Sequence, residues 1–281
     1  MKLKIVADSS ANLPELAEIP YASVPLKLTT DQREFVDDET LDCKAMMAYL
    51  DSYKGRSGSS CPSVGEWVEA FGDADFVFTL AISKAMSGSH NSALQAKEVY
   101  VEEHPGRQVC CIDSLTTGPE LILLAEKIRE LAAKGLDFDG IREQVLAYQK
   151  HCHMIFMLSS VDNLAKNGRV NPLIAKAVGI LNIRIVGRAS DEGTFQQVHK
   201  SRGEKKGLAA LYQLMQDNGY QGSPVRINHV FNQVGALALK ELILADHPGA
   251  DVTVTPTTGL CSFYAEQGGI MVGFEGNPIH R

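Results

Sequence analysis

A chain of 281 residues with 44% hydrophobic and 22% charged residues has the composition of a globular protein and is long enough for two domains of ordinary size. Its net charge of −7 argues against a nucleic-acid or anionic-membrane surface, because either needs a basic patch. No apolar run approaches the roughly 20 residues of a membrane span, and MKLKIVADSS enters a strand at once instead of presenting a cleavable signal. No integral membrane segment is expected, and the cytoplasm is the expected compartment.

Lys2 to Ala7 reads as a strand ending in Asp8-Ser9-Ser10, with Asn12-Leu13-Pro14 after it. The carboxyl end of a strand is where α/β sheets present functional side chains. The same triplet serves equally as a helix cap ahead of Pro14-Glu15. Ala22 to Leu28 reads as a second strand, placed at an edge by the internal Pro25. Thr40 is expected to cap a helix running to Leu50. Residues 54–63, KGRSGSSCPS, form a hydroxyl-rich loop, either folded over a ligand or a plain connector. Ser63 then caps the helix of Trp67, Val68 and Phe71, with Glu66 at the capping-box position.

Phe76 to Ile82 is a buried-type strand, followed by a turn holding Ser83, Ser87, Gly88 and Ser89 and by a helix from Asn91. A strand that delivers such a turn onto a helix N-terminus aims hydroxyls and unpaired N–H groups at one point, which suits a small oxyanion. Either serine can instead simply cap the helix. Gln108 to Ile112 makes the next strand and ends in Asp113-Ser114; helices are expected over Glu120–Ala133 and Phe138–Lys150. The alternation implies a mostly parallel sheet with helices on both faces. Serines then stand at three strand ends that share one rim.

From His153 the pattern changes. A polar stretch, Asp162 to Val170, leads to a helix through Val178 and a strand over Ile180–Val186; a hairpin is expected over Arg188–Arg202. A helix over Lys205–Asn218, a strand over Val225–Phe231, a helix over Gly235–Leu244 and strands over Asp251–Thr255 and Ile270–Phe274 complete a second α/β domain. The expected division is residues 1–157 and 158–281.

Six cysteines are scattered without a CxxC pair, so reduced thiols are expected and not a disulfide framework. His151-Cys152-His153 lacks the second ligand pair of a zinc site, and neither metal nor cofactor is expected. The chain has no GxxxxGK[ST], GxGxxG after the first strand, GxSxG or HExxH. Its loop serines have no evident activating base, which a nucleophilic serine requires. A binding protein fits these features better than a catalyst.

The residues resemble the DegV family of bacterial fatty-acid-binding proteins. The likeness rests on Asp8-Ser9-Ser10 with Asn12-Leu13-Pro14, on Ser59-Ser60-Cys61-Pro62-Ser63, on Ile82-Ser83 with Ser87-Gly88-Ser89, on Asp113-Ser114, and on Leu164 with Lys166-Asn167-Gly168-Arg169. Each motif is short, and their shared order and spacing are specific. The resemblance implies a two-domain α/β protein holding one long-chain fatty acid in a buried tunnel between domains, without catalysis of its own. It further implies a separate fatty-acid kinase as a partner for some members. By the same resemblance the carboxylate falls to Ser59, Ser60, Ser87, Gly88, Ser89 and Tyr264, with support from Ser9, Ser114, Arg169 and Arg202. Tyr264 stands where many members carry a histidine; it donates a hydrogen bond but supplies no titratable cation near neutral pH. Glu266 is expected to face solvent or to pair with Arg169 or Arg202.

Burying about fifteen methylenes at about 0.8 kcal/mol each yields on the order of 12 kcal/mol gross, against association costs of several kcal/mol. Tight binding therefore needs little from the head group. A carboxylate held only by hydroxyls in an apolar site binds protonated unless an arginine approaches. The alternative is a small-molecule phosphotransferase or hydrolase using Asp8, Asp113 and the serines around a metal.

Overall fold

Four parallel strands form the first sheet in the order β2-β1-β6-β7: β1 (Leu3–Asp8), β2 (Tyr21–Val24), β6 (Phe76–Ala81) and β7 (Gln108–Asp113). The computed structural model describes residues 2–178 and 182–279. Strand alternation divides the side chains between two cores. Ile5, Ala7, Phe78 and Leu80 pack against Leu121, Leu124 and Ile128 of α4 (Pro119–Ala133) and Ile141 and Val145 of α5 (Phe138–Gln149). Val6 and Val77 face Trp67 and Phe71 of α2 (Val64–Phe71) and Ala93, Ala96 and Tyr100 of α3 (Ser89–Glu103). The expected mostly parallel sheet with helices on both faces is what forms.

Six strands make the second sheet, in the order β10-β9-β8-β13-β11-β12. They are β8 (Cys152–Leu158), β9 (Ile183–Ala189), β10 (Phe195–Arg202), β11 (Val225–His229), β12 (Val252–Pro256) and β13 (Ile270–Glu275). This sheet therefore begins at Cys152, ahead of the division expected near residue 158. One face, with Ile155, Met157, Val186, Ile227 and Val272, is covered by α8 (Glu204–Asp217) and α9 (Gln233–Asp246). Met154, Phe156, Leu158, Ile185 and Met271 belong to a separate apolar cluster on the other side.

The first lobe also carries a small antiparallel sheet, in which β3 (Lys27–Thr30) lies between β4 (Glu34–Val36) and β5 (Ser57–Ser60). It corrects two expectations. The strand expected over Ala22–Leu28 is two strands in different sheets, broken at Pro25, whose ring removes a ladder donor. The loop over residues 54–63 contains a strand that its Ser/Gly composition hides, because pairing with β3 creates it. The helix expected from Thr40 is α1 (Cys43–Ser52), and its cap is Asp42, which accepts Ala45 N–H at 2.9 Å. Ser63 and Glu66 do form the reciprocal capping box.

The strand expected over Ile180–Val186 starts at Ile183 among the described residues; positions 180 and 181 lie outside them. The expected hairpin after it is β9–β10. Short helices α6 (Asp162–Lys166), α7 (Pro172–Val178) and α10 (Gly259–Ala265) complete the second lobe. The lobes are joined by α4, which packs on both sheets. An ion-pair cluster adds to the joint: Arg226 Nη2 lies 2.9 Å from Glu126 on α4 and 2.8 Å from Asp251.

Candidate functional site

The carboxyl ends of β1, β6 and β7 do share one rim, but most of its polar groups are spent on holding the fold. Asp8 is fully buried and accepts four hydrogen bonds. Oδ1 takes Ser10 N–H (3.2 Å) and Ser10 Oγ–H (2.5 Å), and Oδ2 takes Ile82 N–H (2.9 Å) and Ser89 Oγ–H (2.6 Å). Burial pushes its carboxyl above the ordinary range, and the four donors pull it back without cancelling that. Asp8 thereby ties β1 to the end of β6 and to the start of α3. Ser9 Oγ accepts Leu26 N–H at 3.0 Å. Ser114 Oγ donates to Thr116 O at 3.0 Å. Ser9, Ser89 and Ser114 thus serve buried backbone and carboxylate partners.

A second knot crosses between lobes and fixes α10. Asn12 Nδ2 donates to Asn228 Oδ1 at 3.0 Å, while Asn12 Oδ1 accepts Thr258 N–H at 2.9 Å. Asp37, buried beside β4, accepts Gly259 N–H (2.6 Å) and Leu260 N–H (2.9 Å). Position 259 must be glycine for this approach, because a Cβ would stand 2.5 Å from Leu41 and 2.8 Å from Asp37 Oδ1. Burial raises the Asp37 carboxyl above its ordinary range.

The helix so anchored carries Tyr264 to a cavity between the lobes. Its walls are almost wholly apolar. Met154, Phe156 and Leu158 of β8 with Met271 of β13 form one side. Ile82, Met86, Thr116 and Thr117 come from the loops after β6 and β7, and Leu260, Cys261 and Ala265 from α10. The hairpin contributes Ala189, Gly193, Thr194 and Phe195, and Leu164 and Arg169 complete the lining. Cys261 is no nucleophile there: burial pushes its thiol up to about 12, and it donates to Ser10 O at 3.4 Å.

Of the sequence candidates, Tyr264 and Arg169 line this cavity; Ser9, Ser59, Ser60, Ser87, Gly88, Ser89 and Ser114 are not among its lining residues, and Ser59 reaches it through Tyr264. Ser59 Oγ and Tyr264 OH are 2.8 Å apart, bringing two sequence candidates 205 residues apart into one hydrogen bond. The Arg169 guanidinium lies 5.9 Å from the Tyr264 ring centroid and is steadied by Met86 O (3.2 Å) and Asn167 O (2.6 Å). Ser87, half-buried beside Met86, accepts Ser89 N–H at 3.3 Å. Gly88 is exposed at the start of α3, and Cys61 Sγ lies 4.0 Å from Ser92 Oγ on that helix, so the Ser59–Ser63 loop runs alongside this turn. Ser60 is exposed and, by strand alternation, points away from Ser59. Arg202 is exposed at the far end of β10 and does not line the cavity. Glu266 accepts Asn163 N–H at 3.0 Å and lines a separate polar pocket with Lys54, Arg56 and Lys166; it bonds to neither arginine proposed for it.

The metal-assisted alternative finds little to work with. Asp8 is saturated, and Asp113 Oδ1 accepts Lys84 N–H (3.2 Å) and Leu115 N–H (3.1 Å). Among the described residues no group of three or more His, Cys, Asp or Glu side chains is placed to hold a metal ion, and no helix is long and apolar enough to cross a membrane. Sequence reasoning missed the cavity walls. Their signal is the apolar run of β8, which reads as ordinary core because lining and core share one composition.

Comparison with known proteins adds three findings. A family model described as an uncharacterised protein of the DegV family matches residues 2–276. A DegV domain-containing protein of Streptococcus pneumoniae is 41% identical over 279 residues, covering 98% of this chain and 99% of that protein. Two crystal structures superpose with TM-scores of 0.96. One is a DegV family protein from Eubacterium eligens loaded with heptadecanoic acid, 40% identical and covering 98% of this chain and 100% of that one. The other is the Streptococcus pneumoniae Fatty Acid Kinase (Fak) B3 protein loaded with linoleic acid, 41% identical and covering 99% of this chain and 100% of that one.

Proposed function

This chain belongs to the DegV family, and on that premise we propose that it binds one long-chain fatty acid in the cavity between its lobes, tail along the apolar walls and carboxylate at the polar end. The observation that carries this reading is an apolar cavity with a polar corner at Tyr264 and Arg169, which line it, and at Ser59, which hydrogen-bonds the Tyr264 hydroxyl. Ser87 and the Gly88 N-terminal turn of α3 flank that corner. The fatty acids held by the two similar proteins support it. Arg169 supplies the cation that a desolvated carboxylate needs to stay ionised, and Tyr264 with Ser59 supplies hydroxyl donors. The protein is a carrier with no phosphotransfer of its own, presenting the carboxylate to a separate fatty-acid kinase in the cytoplasm. The two sheets are taken as the cores of two domains with the ligand between them, lined by β8 and β13 from the second and by the loops after β6 and β7 from the first.

Tyr264→Phe tests the head assignment, since it removes one hydroxyl and leaves the ring. Loss of one hydrogen bond to a charged group, about 1.5–3 kcal/mol, is expected to weaken fatty-acid affinity by about tenfold or more in isothermal titration. Ser87→Ala is expected to weaken retention in the same direction. Affinity unchanged by either substitution removes that residue from the site.

A further inference from the structure

The hairpin tip between β9 and β10 reaches across the cavity and seats on the first lobe. Asp191 and Glu192 at this tip are exposed, yet Gly193 beside them is buried. It lies in a notch made by Ser83, at the end of β6, and Leu115, after β7. A Cβ at position 193 would overlap Ser83 Oγ and stand 2.9 Å from the Leu115 Cα, and its φ of +77° is one that side chains rarely adopt. The tip is braced internally. Gly193 N–H donates to Ser190 O (2.9 Å), Ser190 N–H to Thr194 O (2.8 Å) and Thr194 N–H to Ser190 Oγ (3.0 Å). Gly193, Thr194 and Phe195 all line the cavity, and Phe195 stacks on Phe156 at 4.9 Å.

The same hairpin has a weak line across its base. β10 is the outermost strand of the sheet, and its pairing with β9 shifts register between Gln197 and His199, leaving Val198 as a bulge. Gln197 pairs with Gly187 on β9, and Arg188, one residue on, is the last β9 residue paired with β8, so beyond it β9 pairs with β10 alone. Bulges bend a strand and interrupt its ladder, and a glycine weakens the strand that carries it. A rigid tip, a seat on the opposite lobe and a soft base lie in series along one ribbon.

We propose that the β9–β10 hairpin is the lid of the cavity: it bends at Val198 and beyond Arg188, the last β9 residue paired with β8, lifts Gly193 out of the notch between Ser83 and Leu115, and so lets the acyl chain in and out. The proposal rests on the fatty-acid reading of the cavity and adds the route to it. A lid held by packing at its tip opens rarely, so it governs the rate of exchange far more than the equilibrium affinity.

The experiment locks and wedges the tip. In the doubly substituted protein Ser83→Cys with Gly193→Cys, the Cβ added at 193 falls against the side chain of position 83, so the seated tip brings the two thiols together for oxidation. Protein loaded with deuterated palmitate is chased with unlabelled palmitate, and exchange is followed by native mass spectrometry, with oxidised wild type in parallel and bridge formation checked by thiol counting. The oxidised pair is expected to exchange at least about tenfold more slowly than wild type, and reductant is expected to restore the rate. Gly193→Val, which props the tip open, is expected to exchange faster than wild type. Exchange by the oxidised pair at the wild-type rate overturns the lid. Gly193→Val exchanging no faster than wild type overturns it too. If wild type itself holds no palmitate, the fatty-acid reading fails and the lid falls with it.

Discussion

Ala265→Trp is expected to abolish stable fatty-acid binding while leaving the protein folded. Ala265 ends α10 and lines the cavity beside Tyr264, so an indole there takes up space the acyl chain needs. Excluding about four methylenes from contact at about 0.8 kcal/mol each costs about 3 kcal/mol, or roughly 200-fold in affinity. Ala189→Trp attacks the same cavity from a different element, β9. Two independent plugs failing together would be hard to ascribe to local misfolding, and circular dichroism checks the fold of each. If titration shows both variants binding as wild type does, the chain does not lie in this cavity.

Removing the Asp8 carboxylate is expected to produce the largest loss of stability among the substitutions considered. Asp8→Ala strands the Ile82 and Ser10 N–H groups and two hydroxyls in a dry site. Two buried N–H groups without acceptors cost about 3 kcal/mol or more, and thermal denaturation should record a fall of about 6–12 °C. Asp8→Asn isolates the charge. Because burial raises the folded-state pKa of Asp8, the protonated form is favoured in the fold. Its contribution to stability is present in full below the unfolded pKa of about 3.9 and is lost as pH rises through the folded value. Wild type should therefore lose stability relative to Asp8→Asn as pH is raised from about 3.5. A gap that stays constant, or that moves in favour of wild type with rising pH, contradicts the assignment.

Much of the fold is legible in the residues because local signals and global structure agree. The capping box at Ser63 and Glu66, and the apolar strand of Phe76–Ala81, read the same way in the chain and in three dimensions. Where they part, a partner distant in sequence decides. β5 is a Ser/Gly run made into a strand by β3. Pro25 sends β2 and β3 into separate sheets.

The site was harder to read for a related reason. A serine looks alike whether its hydroxyl faces a ligand or a buried carboxylate, and only the fold shows that Ser89 is turned to Asp8 while Ser59 meets Tyr264. In the sequence Asp8 and Asn12 read as rim residues past the carboxyl end of a strand. The structure gives them a different task, which is to hold strand ends and lobes together. Phe156 and Met271 could not be told from core by composition, since an acyl chain and a packed side chain ask for the same walls.

The most direct measurement is native mass spectrometry of the protein purified from cells, followed by organic extraction and identification of what is released. The account expects one long-chain fatty acid per chain, lost from Ala265→Trp. Protein that carries no lipid, and takes up none when palmitate is offered, would contradict it.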